Sequence, residues 1–386
     1  MLLLLALWIA STVVATVSVA VFANLAGRPP APANQPSCLI LSPIKGLGSG
    51  LERYLAALGA QDHPDYRVLL ILESDTDPAY AAALIMAHRS GGRTQVLIAG
   101  RAETCGQKVH NLLAGVAASH ASDAIVVFAD CDMIPPRDWL TQLTRPLALG
   151  RSEISSGYIV MVPEAPGFST WMACLMSLGV STMVVPPASR LCAGCATAIF
   201  RDTLLKLGPE RIWKGALSDD IALSLATRAT GIRIHANVVA RVPAPVEHTW
   251  TSLAAYARRQ YQLLWHYAPR EWLCVSIALL LPVAGAAAAL VATAQGRIEG
   301  MAAIAVVLIA QQVRIVLRRR ALVRILDRDD YARLEPVFRM ARWASPVAHL
   351  LHAALFLTSC WGRTVRWAGI AYRIDGNGLL RIQDRA

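Results

Sequence analysis

Residues 1 to 27 carry no charged side chain and are rich in Leu, Val and Ala, a run long enough to cross a hydrocarbon layer of about 30 Å. A cleaved signal peptide would need a basic leading segment and an apolar core of only about 7–15 residues. The run lacks that leading segment and is longer than that core, so a retained anchor is expected, with Arg28 directly after it. From about 36 to 245 short β-rich runs alternate with helical stretches, the pattern of a sheet whose strands are joined by crossover helices. Strands are expected at Cys38–Ser42, Tyr66–Glu73, Thr94–Ala99 and Ala124–Asp130, and helices near 48–60, 77–89 and 107–120.

After Trp272 the chain turns apolar again and is uncharged from 272 to 296, which predicts a transmembrane helix. The next run, from about 300 to 317, is interrupted by Arg314 and closed by Arg318, Arg319 and Arg320. Such a closing cluster reads as a cytoplasmic stop. Residues 343 to 362 are uncharged but contain Pro346, His349 and His352; spanning, re-entrant and interfacial arrangements all stay open. Tyr372 to Ile382, with Asp375-Gly376-Asn377-Gly378 in its middle, reads as a hairpin.

The resulting expectation is an α/β fold, a Rossmann-like nucleotide-binding domain with a mostly parallel mixed sheet, flanked by transmembrane helices. Its divisions are an anchor at 1–27, the α/β domain at 36–265, a membrane region at 272–362 and a tail with a small hairpin at 363–386. In such sheets ligands sit beyond the carboxyl ends of the strands, so acidic residues ending the second and fourth strands share one crevice.

Composition sharpens the membrane reading: of 386 residues 55% are hydrophobic and 16% charged, more apolar than an ordinary soluble protein. The formal charge of +11 comes with arginines crowded into 297–342 and 363–385, beside apolar runs, where they suit anionic lipid headgroups better than nucleic acid. Nucleic acid is therefore not an expected partner. The eight cysteines, Cys38, Cys105, Cys131, Cys174, Cys192, Cys195, Cys274 and Cys360, form no dense framework and fit a reducing compartment. Cys192 and Cys195 lack a second ligand pair at zinc spacing and read as packing residues. Together with Arg28 after the anchor, this places the α/β domain on the cytoplasmic face of an inner membrane.

The chemistry begins where the apolar run Ala124–Ala129 ends in Asp130-Cys-Asp132. Hard carboxylate oxygens at a strand tip suit magnesium or manganese, whose shell is usually completed by substrate phosphates and water. Alone the motif is equally an Asx turn. Around it stand Gly106-Gln107-Lys108-Val-His110-Asn111-Leu112-Leu113, Pro135-Pro136-Arg137-Asp138-Trp139-Leu140 and Leu217-Ser218-Asp219-Asp220-Ile221. In order and spacing these blocks resemble the family-2 glycosyltransferases, and most closely the ceramide-glucosyltransferase-like (family 21-like) branch that includes hopanoid-associated bacterial members. The resemblance covers about 36 to 265.

Carried over residue by residue, it implies that Asp130 and Asp132 bind a divalent metal, Mg2+ or Mn2+, and the donor diphosphate, and that Asp220 is the catalytic base. Asp75 is implied as the holder of the uracil or ribose, with Glu73 as second choice, and Lys108 as a donor-side cation able to meet phosphate. His110 reads as structural. Asp219 and Asp220 after Ser218 also make a good helix N-terminus, which accounts for one of the pair. Asp219 is placed on the acceptor side, as is Gly194 in Cys192-Ala-Gly194-Cys195, where a small residue permits close approach. The family's Gln/Arg-x-x-Arg-Trp block corresponds to Tyr256–Trp265, implying Arg258, Arg259, Gln260 and Trp265 as acceptor-side residues. Here the pattern departs: matching Arg259 puts Gln260 where Trp is expected, and matching Trp265 puts Leu264 in the arginine's place.

The function these features imply is an inverting glycosyltransferase that moves a sugar from a nucleotide-sugar donor, a UDP-sugar, to a membrane lipid resembling ceramide, diacylglycerol or a hopanoid. Two alternatives stand beside it: a processive polysaccharide synthase, which would bring more spans and the Trp-bearing block, and a non-catalytic membrane scaffold, against which the four carboxylates Asp75, Asp130, Asp132 and Asp220 argue.

Overall fold

The computed structural model describes residues 1–385 apart from Ser49, 186–189 and 376–379. In chain order the elements are α1 (Leu2–Leu25), β1 (Cys38–Pro43), α2 (Leu51–Gly59), β2 (Tyr66–Leu72), α3 (Tyr80–Arg89), β3 (Thr94–Ile98), α4 (Gln107–Ala117), β4 (Ile125–Ala129), α5 (Trp139–Ala148) and β5 (Ile154–Pro163). There follow α6 (Phe168–Ser181), β6 (Ala196–Phe200), α7 (Arg201–Leu207), α8 (Pro209–Ile212), α9 (Asp219–Ala229), β7 (Ile234–Val246) and α10 (Trp250–Tyr267). The last are α11 (Pro269–Ala294), α12 (Ile298–Leu322), α13 (Arg328–Arg333), α14 (Glu335–Leu357), and strands β8 (Thr364–Trp367), β9 (Ile370–Ile374) and β10 (Leu380–Arg385). The four strands and three helices expected in the first half are all present, within three residues at each boundary.

Residues 28–159, 186–245 and 363–386 form one compact unit, and 1–27, 160–185 and 246–362 a second. The first is built on a seven-stranded sheet of order β3-β2-β1-β4-β6-β5-β7. The run β3-β2-β1-β4 is parallel, and β6 is antiparallel to both β4 and β5, giving the mixed, mostly parallel sheet expected. Because β1 and β4 are covered on both faces, β4 and the first four residues of β1 are unbroken apolar runs rather than alternating ones. Alternate residues serve opposite layers: Cys38 and Ile40 join Tyr54, Leu58 and Trp139 on one side, while Leu39 and Leu41 join Val109, Leu112 and Trp213 on the other. Each such side chain fully buried contributes about 1.5–3 kcal/mol.

Two glycines let α4 lie close enough to carry its first turn into the site. A Cβ on Gly115 would stand 2.6 Å from Ile71 Cδ1 and 2.9 Å from Leu41 Cδ2, so only glycine seats the helix on β1 and β2. A Cβ on Gly106 would stand 2.9 Å from the Leu217 carbonyl, and the Gly106 N–H donates to the Ala216 carbonyl at 2.8 Å. The start of α4 is thereby held against the loop that leads into α9.

The tail is a three-stranded sheet of order β10-β9-β8. Strands β9 and β10 are antiparallel, as a hairpin requires, with a bulge between Ile382 and Asp384; the expected turn at Asp375-Gly376-Asn377-Gly378 falls mostly outside the described residues. This sheet belongs to the same compact unit as the α/β core.

The second unit is helical. Among the described residues three helices are long and apolar enough to cross a membrane: α1, α11 and α12. Helix α14, whose arrangement the sequence leaves open, is not one of them; it starts at Glu335 and carries Arg339 and Arg342 in its first half. Close packing rests on small residues, as in helix pairs within lipid: a Cβ on Gly285 of α11 would stand 2.4 Å from Trp8 Cγ of α1. Residues 160–185 and 246–265, which the sequence pattern groups with the sheet, cluster with these helices, and α6, an apolar helix, packs on α14. Helix α12 runs without a break through Arg314, whose side chain turns inward.

Candidate active site

The site lies at the carboxyl ends of β2 and β4 and the amino ends of α4 and α9. Strand β4 ends at Ala129, which leaves Asp130 half-buried and Asp132 exposed at its tip. Beneath them the fully buried Tyr54 bonds Ser42 through its hydroxyl at 2.6 Å. Burial drives that phenol upward, and the nearby acidic groups add to the rise.

Lys108, on the first turn of α4, is the centre of the arrangement. Its Nζ stands 2.7 Å from Asp130 Oδ1 and 3.1 Å from Asp219 Oδ1. Burial by itself would push the ammonium down, but Asp130, Asp219 and Asp220 outweigh it and hold Lys108 well above the ordinary lysine value. Asp219 is 2% exposed. Burial pushes its carboxyl up to about 6; Lys108 pulls the other way and is itself shared with Asp130 and Asp220. Thus one ammonium faces three carboxylates, with Asp132 close in sequence, and the local balance is negative.

Asp220 is set differently from its neighbour. Ser218 caps α9, accepting from the Ile221 N–H at 3.4 Å, and the same N–H donates to Asp220 Oδ1 at 2.8 Å. The Ser218 hydroxyl also donates to Asp220 Oδ1, and the Gly194 N–H donates to Asp220 Oδ2 at 3.2 Å. Asp220 remains partly exposed. Of the acidic pair, then, Asp219 turns inward to Lys108 while Asp220 keeps access to solvent. Gly194 closes the group: a Cβ there would meet Lys108 Nζ at 2.7 Å and Asp219 Oδ2 at 2.9 Å.

Of the two carboxylates weighed at the end of β2, Asp75 is exposed and accepts from the Ser74 hydroxyl at 3.3 Å. Glu73 is surrounded by cations: Arg385 Nη1 at 2.6 Å, Lys45 at 3.5 Å and Arg101 at 3.7 Å. Asp77, two residues on, is structural, accepting from the Gly46 and Ala79 N–H groups at 2.8 and 2.9 Å. His110 likewise bonds the Ala99 carbonyl at 2.9 Å. Cys192 and Cys195 are buried free thiols, both raised by burial, Cys192 to about 12.

The sequence gives no sign of the tail's part in this region. Arg385 bonds Glu73, Gln107 Oε1 at 3.2 Å and the Ala102 carbonyl at 2.7 Å, and the Gln107 N–H donates to the Tyr372 hydroxyl at 3.2 Å. The C-terminal sheet thereby latches the end of β2 to the start of α4, next to Lys108. The remaining implied residues lie on α10 in the helical unit. Arg258 donates to the Thr358 and Trp361 carbonyls at 3.2 and 2.6 Å, and Arg259 stands over the Tyr256 ring at 5.5 Å. Gln260 is exposed, and Trp265 packs edge-on against Trp272 with centroids 4.5 Å apart.

Two oxygen donors at a strand tip, in a patch whose carboxylates outnumber its cation, fit a divalent ion that keeps most of its shell for phosphate and water. Among the described residues no three or more His, Cys, Asp or Glu side chains cluster as a full metal cage.

The fold is that of GT-A glycosyltransferases. A mannosyltransferase, PcManGT from Pyrobaculum calidifontis, solved with GDP-Man and Mn2+, superposes with a TM-score of 0.52 at 18% identity, over 93% of this chain and 99% of that one. Glucosyl-3-phosphoglycerate synthase from Mycobacterium tuberculosis, solved with Mn2+ and UDP-glucose, aligns over 59% of this chain and 78% of that one, with a TM-score of 0.37 at 19% identity. No curated protein sequence matches at a significant level. The profile of glycosyl transferase family 21 matches residues 3–380, and the chain belongs to that family. It is a glycosyltransferase carrying helices able to cross a membrane.

Proposed function

We propose that the chain is an inverting, metal-dependent glycosyltransferase that moves a sugar from a UDP-sugar to a lipid held in the membrane. The observation that carries this reading is the single cation Lys108 set between Asp130 of the strand-tip Asp-x-Asp and Asp219 at the start of α9. The mannosyltransferase solved with GDP-Man and Mn2+ supports a nucleoside-diphosphate sugar and a divalent ion.

Asp130 and Asp132 would hold the metal, which neutralises the diphosphate as the sugar departs. Lys108, kept charged by its three carboxylates, offers a point charge to the same phosphates. Asp75, exposed beyond β2, meets the nucleoside in this reading, and Glu73, held by three cations, shapes the wall beside it. Asp220 has the access that Asp219 lacks and takes the proton of the acceptor hydroxyl as it attacks the anomeric carbon. A single displacement inverts that carbon and gives a β-linked product from an α-linked donor. Asp219 orients Lys108 from beneath.

Anchors at 1–27 and from Pro269 onward lie on either side of the sheet-bearing segment in the chain, and both hold that segment near headgroups at the cytoplasmic face. The segment Arg258–Trp265, with its Arg, Tyr, Leu and Trp, has the composition of an interface-lying acceptor entrance. The test is transfer by the purified full chain from radiolabelled UDP-sugars and GDP-mannose into a lipid extract of its own source. Label in a discrete organic-extractable glycolipid is expected; label only in a long water-soluble polymer, or only on protein, would defeat the lipid reading.

A further inference from the structure

Helix α12 carries two arginines one turn apart, Arg314 and Arg318, which therefore share a face. Both are turned into the helical bundle, each only 8% exposed. A guanidinium has five N–H donors and stays charged in proteins. Arg314 donates to Gln311 Oε1 at 2.8 Å and weakly to the Thr12 carbonyl of α1 at 3.4 Å. Arg318 donates through Nε to Thr182 Oγ1, just beyond α6, at 2.9 Å. Every one of these acceptors is neutral. Among the described residues no carboxylate lies within 4 Å of either guanidinium, and neither Nη of Arg318 has an acceptor, whereas the adjacent Arg319 pairs with Glu335 at 2.8 Å.

Two like charges in an apolar bundle, with most of their donors unspent, are unstable unless a counter-charge is supplied. Their depth narrows the choice. Arg318 and Arg314 lie four and eight residues from the end of α12 at Leu322, or about 6 and 12 Å along its axis; in a bilayer crossed by α12, whose length and composition allow it, that is the depth of the phosphates and upper acyl chains of one leaflet. The planar fork of a guanidinium matches phosphate oxygens in pairs.

We propose that Arg314 and Arg318 form a binding site for the phosphate group of an anionic phospholipid, between α12, α1 and the segment after α6. The bound phosphodiester supplies the missing negative charge and ties three elements of the helical unit together. The proposal needs nothing from the transfer reaction and is tested apart from it.

Full chain in mild detergent is titrated with phosphatidylglycerol, phosphatidylcholine or inorganic phosphate, read by native mass spectrometry and by thermal unfolding. The expected result is one phosphatidylglycerol retained through delipidation and a Tm that rises with phosphatidylglycerol alone. The double variant Arg314→Gln, Arg318→Gln should bind it at least tenfold more weakly and lose the Tm rise, while Arg319→Gln should behave as wild type. Equal stabilisation by phosphatidylcholine, or by inorganic phosphate at the same concentration, overturns the lipid-phosphate site, as does undiminished retention by the double variant. If that variant does not fold, the wild-type comparison of the three ligands decides alone.

Discussion

The replacement Gly194→Ala probes the centre of the site with one methyl group. The added Cβ would stand 2.7 Å from Lys108 Nζ and 2.9 Å from Asp219 Oδ2, against an ordinary contact of about 3.5 Å or more. Both obstacles are side-chain ends, so the backbone need not move; the ammonium must retreat by about 1 Å. That retreat lengthens pairings of 2.7 and 3.1 Å to Asp130 and Asp219 beyond hydrogen-bond range. At an effective dielectric of about 20, moving unit charges from roughly 3 to 4 Å loses about 1.5 kcal/mol per pair. The two pairs together lose about 3 kcal/mol before relaxation, and a net cost of about 1–3 kcal/mol is expected. Since Lys108 is also the proposed phosphate contact, kcat/KM for the donor should fall by roughly ten- to a hundredfold. Initial rates against donor concentration, together with thermal unfolding, measure both effects. Gly179 of α6, where a Cβ meets nothing within 4 Å, is the control: Gly179→Ala should be neutral or raise stability by about 0.4–1 kcal/mol. A Gly194→Ala protein with wild-type kcat/KM and unchanged Tm would refute the picture of a tightly confined Lys108.

Asp132→Asn should abolish metal-dependent turnover, and wild-type rates without added divalent ion would contradict that role. Asp220→Asn should keep UDP binding by calorimetry while transfer drops roughly a hundredfold or more; loss of UDP binding instead would make Asp220 a donor ligand. Arg385→Gln should raise the donor KM by roughly five- to thirtyfold, the equivalent of about 1–2 kcal/mol, with kcat little changed, and an unaltered KM would show that the latch does not reach the donor. Asp123 receives Arg67 at 2.6 and 2.8 Å. Burial alone would raise its carboxyl, but Arg67 and the His120 N–H hold it below the usual carboxylate range. The stabilisation is therefore present above the unfolded carboxyl's value and lost as pH falls through the lower folded one. Asp123→Asn should lower Tm at neutral pH, and the gap to wild type should close on acidification; a gap constant down to pH 2 would argue against the charge pairing.

The strand tips were legible because β4 is buried on both faces: an unbroken apolar run can end in Asp130 only where the sheet meets solvent. The start of α9 was legible in part. Ser218 and its acidic pair announce a helix cap, but the same pattern fits two solvated acids. That Asp219 is buried on Lys108 follows from Gly106 and Gly194, whose missing side chains let α4, α9 and the turn before β6 converge. Nothing local marks Arg385, which meets Glu73 across 312 positions from a short edge strand of ordinary composition. The grouping of 160–185 with the apolar helices was hidden for a related reason: α6, at 14 residues, is too short to read as a span, and its partner α14 lies far along the chain.

The position of Arg385 in the chain sets an order of assembly. It is translated after α11, α12 and α14, so the strand end at Glu73 and the first turn of α4 wait for their latch until those helices have left the ribosome. A chain translated only as far as α14 has Asp75, Asp130, Asp132 and Asp220 yet lacks the clamp on Glu73. On the reading that the latch supports donor uptake, that uptake becomes possible only once α11, α12 and α14 have been translated.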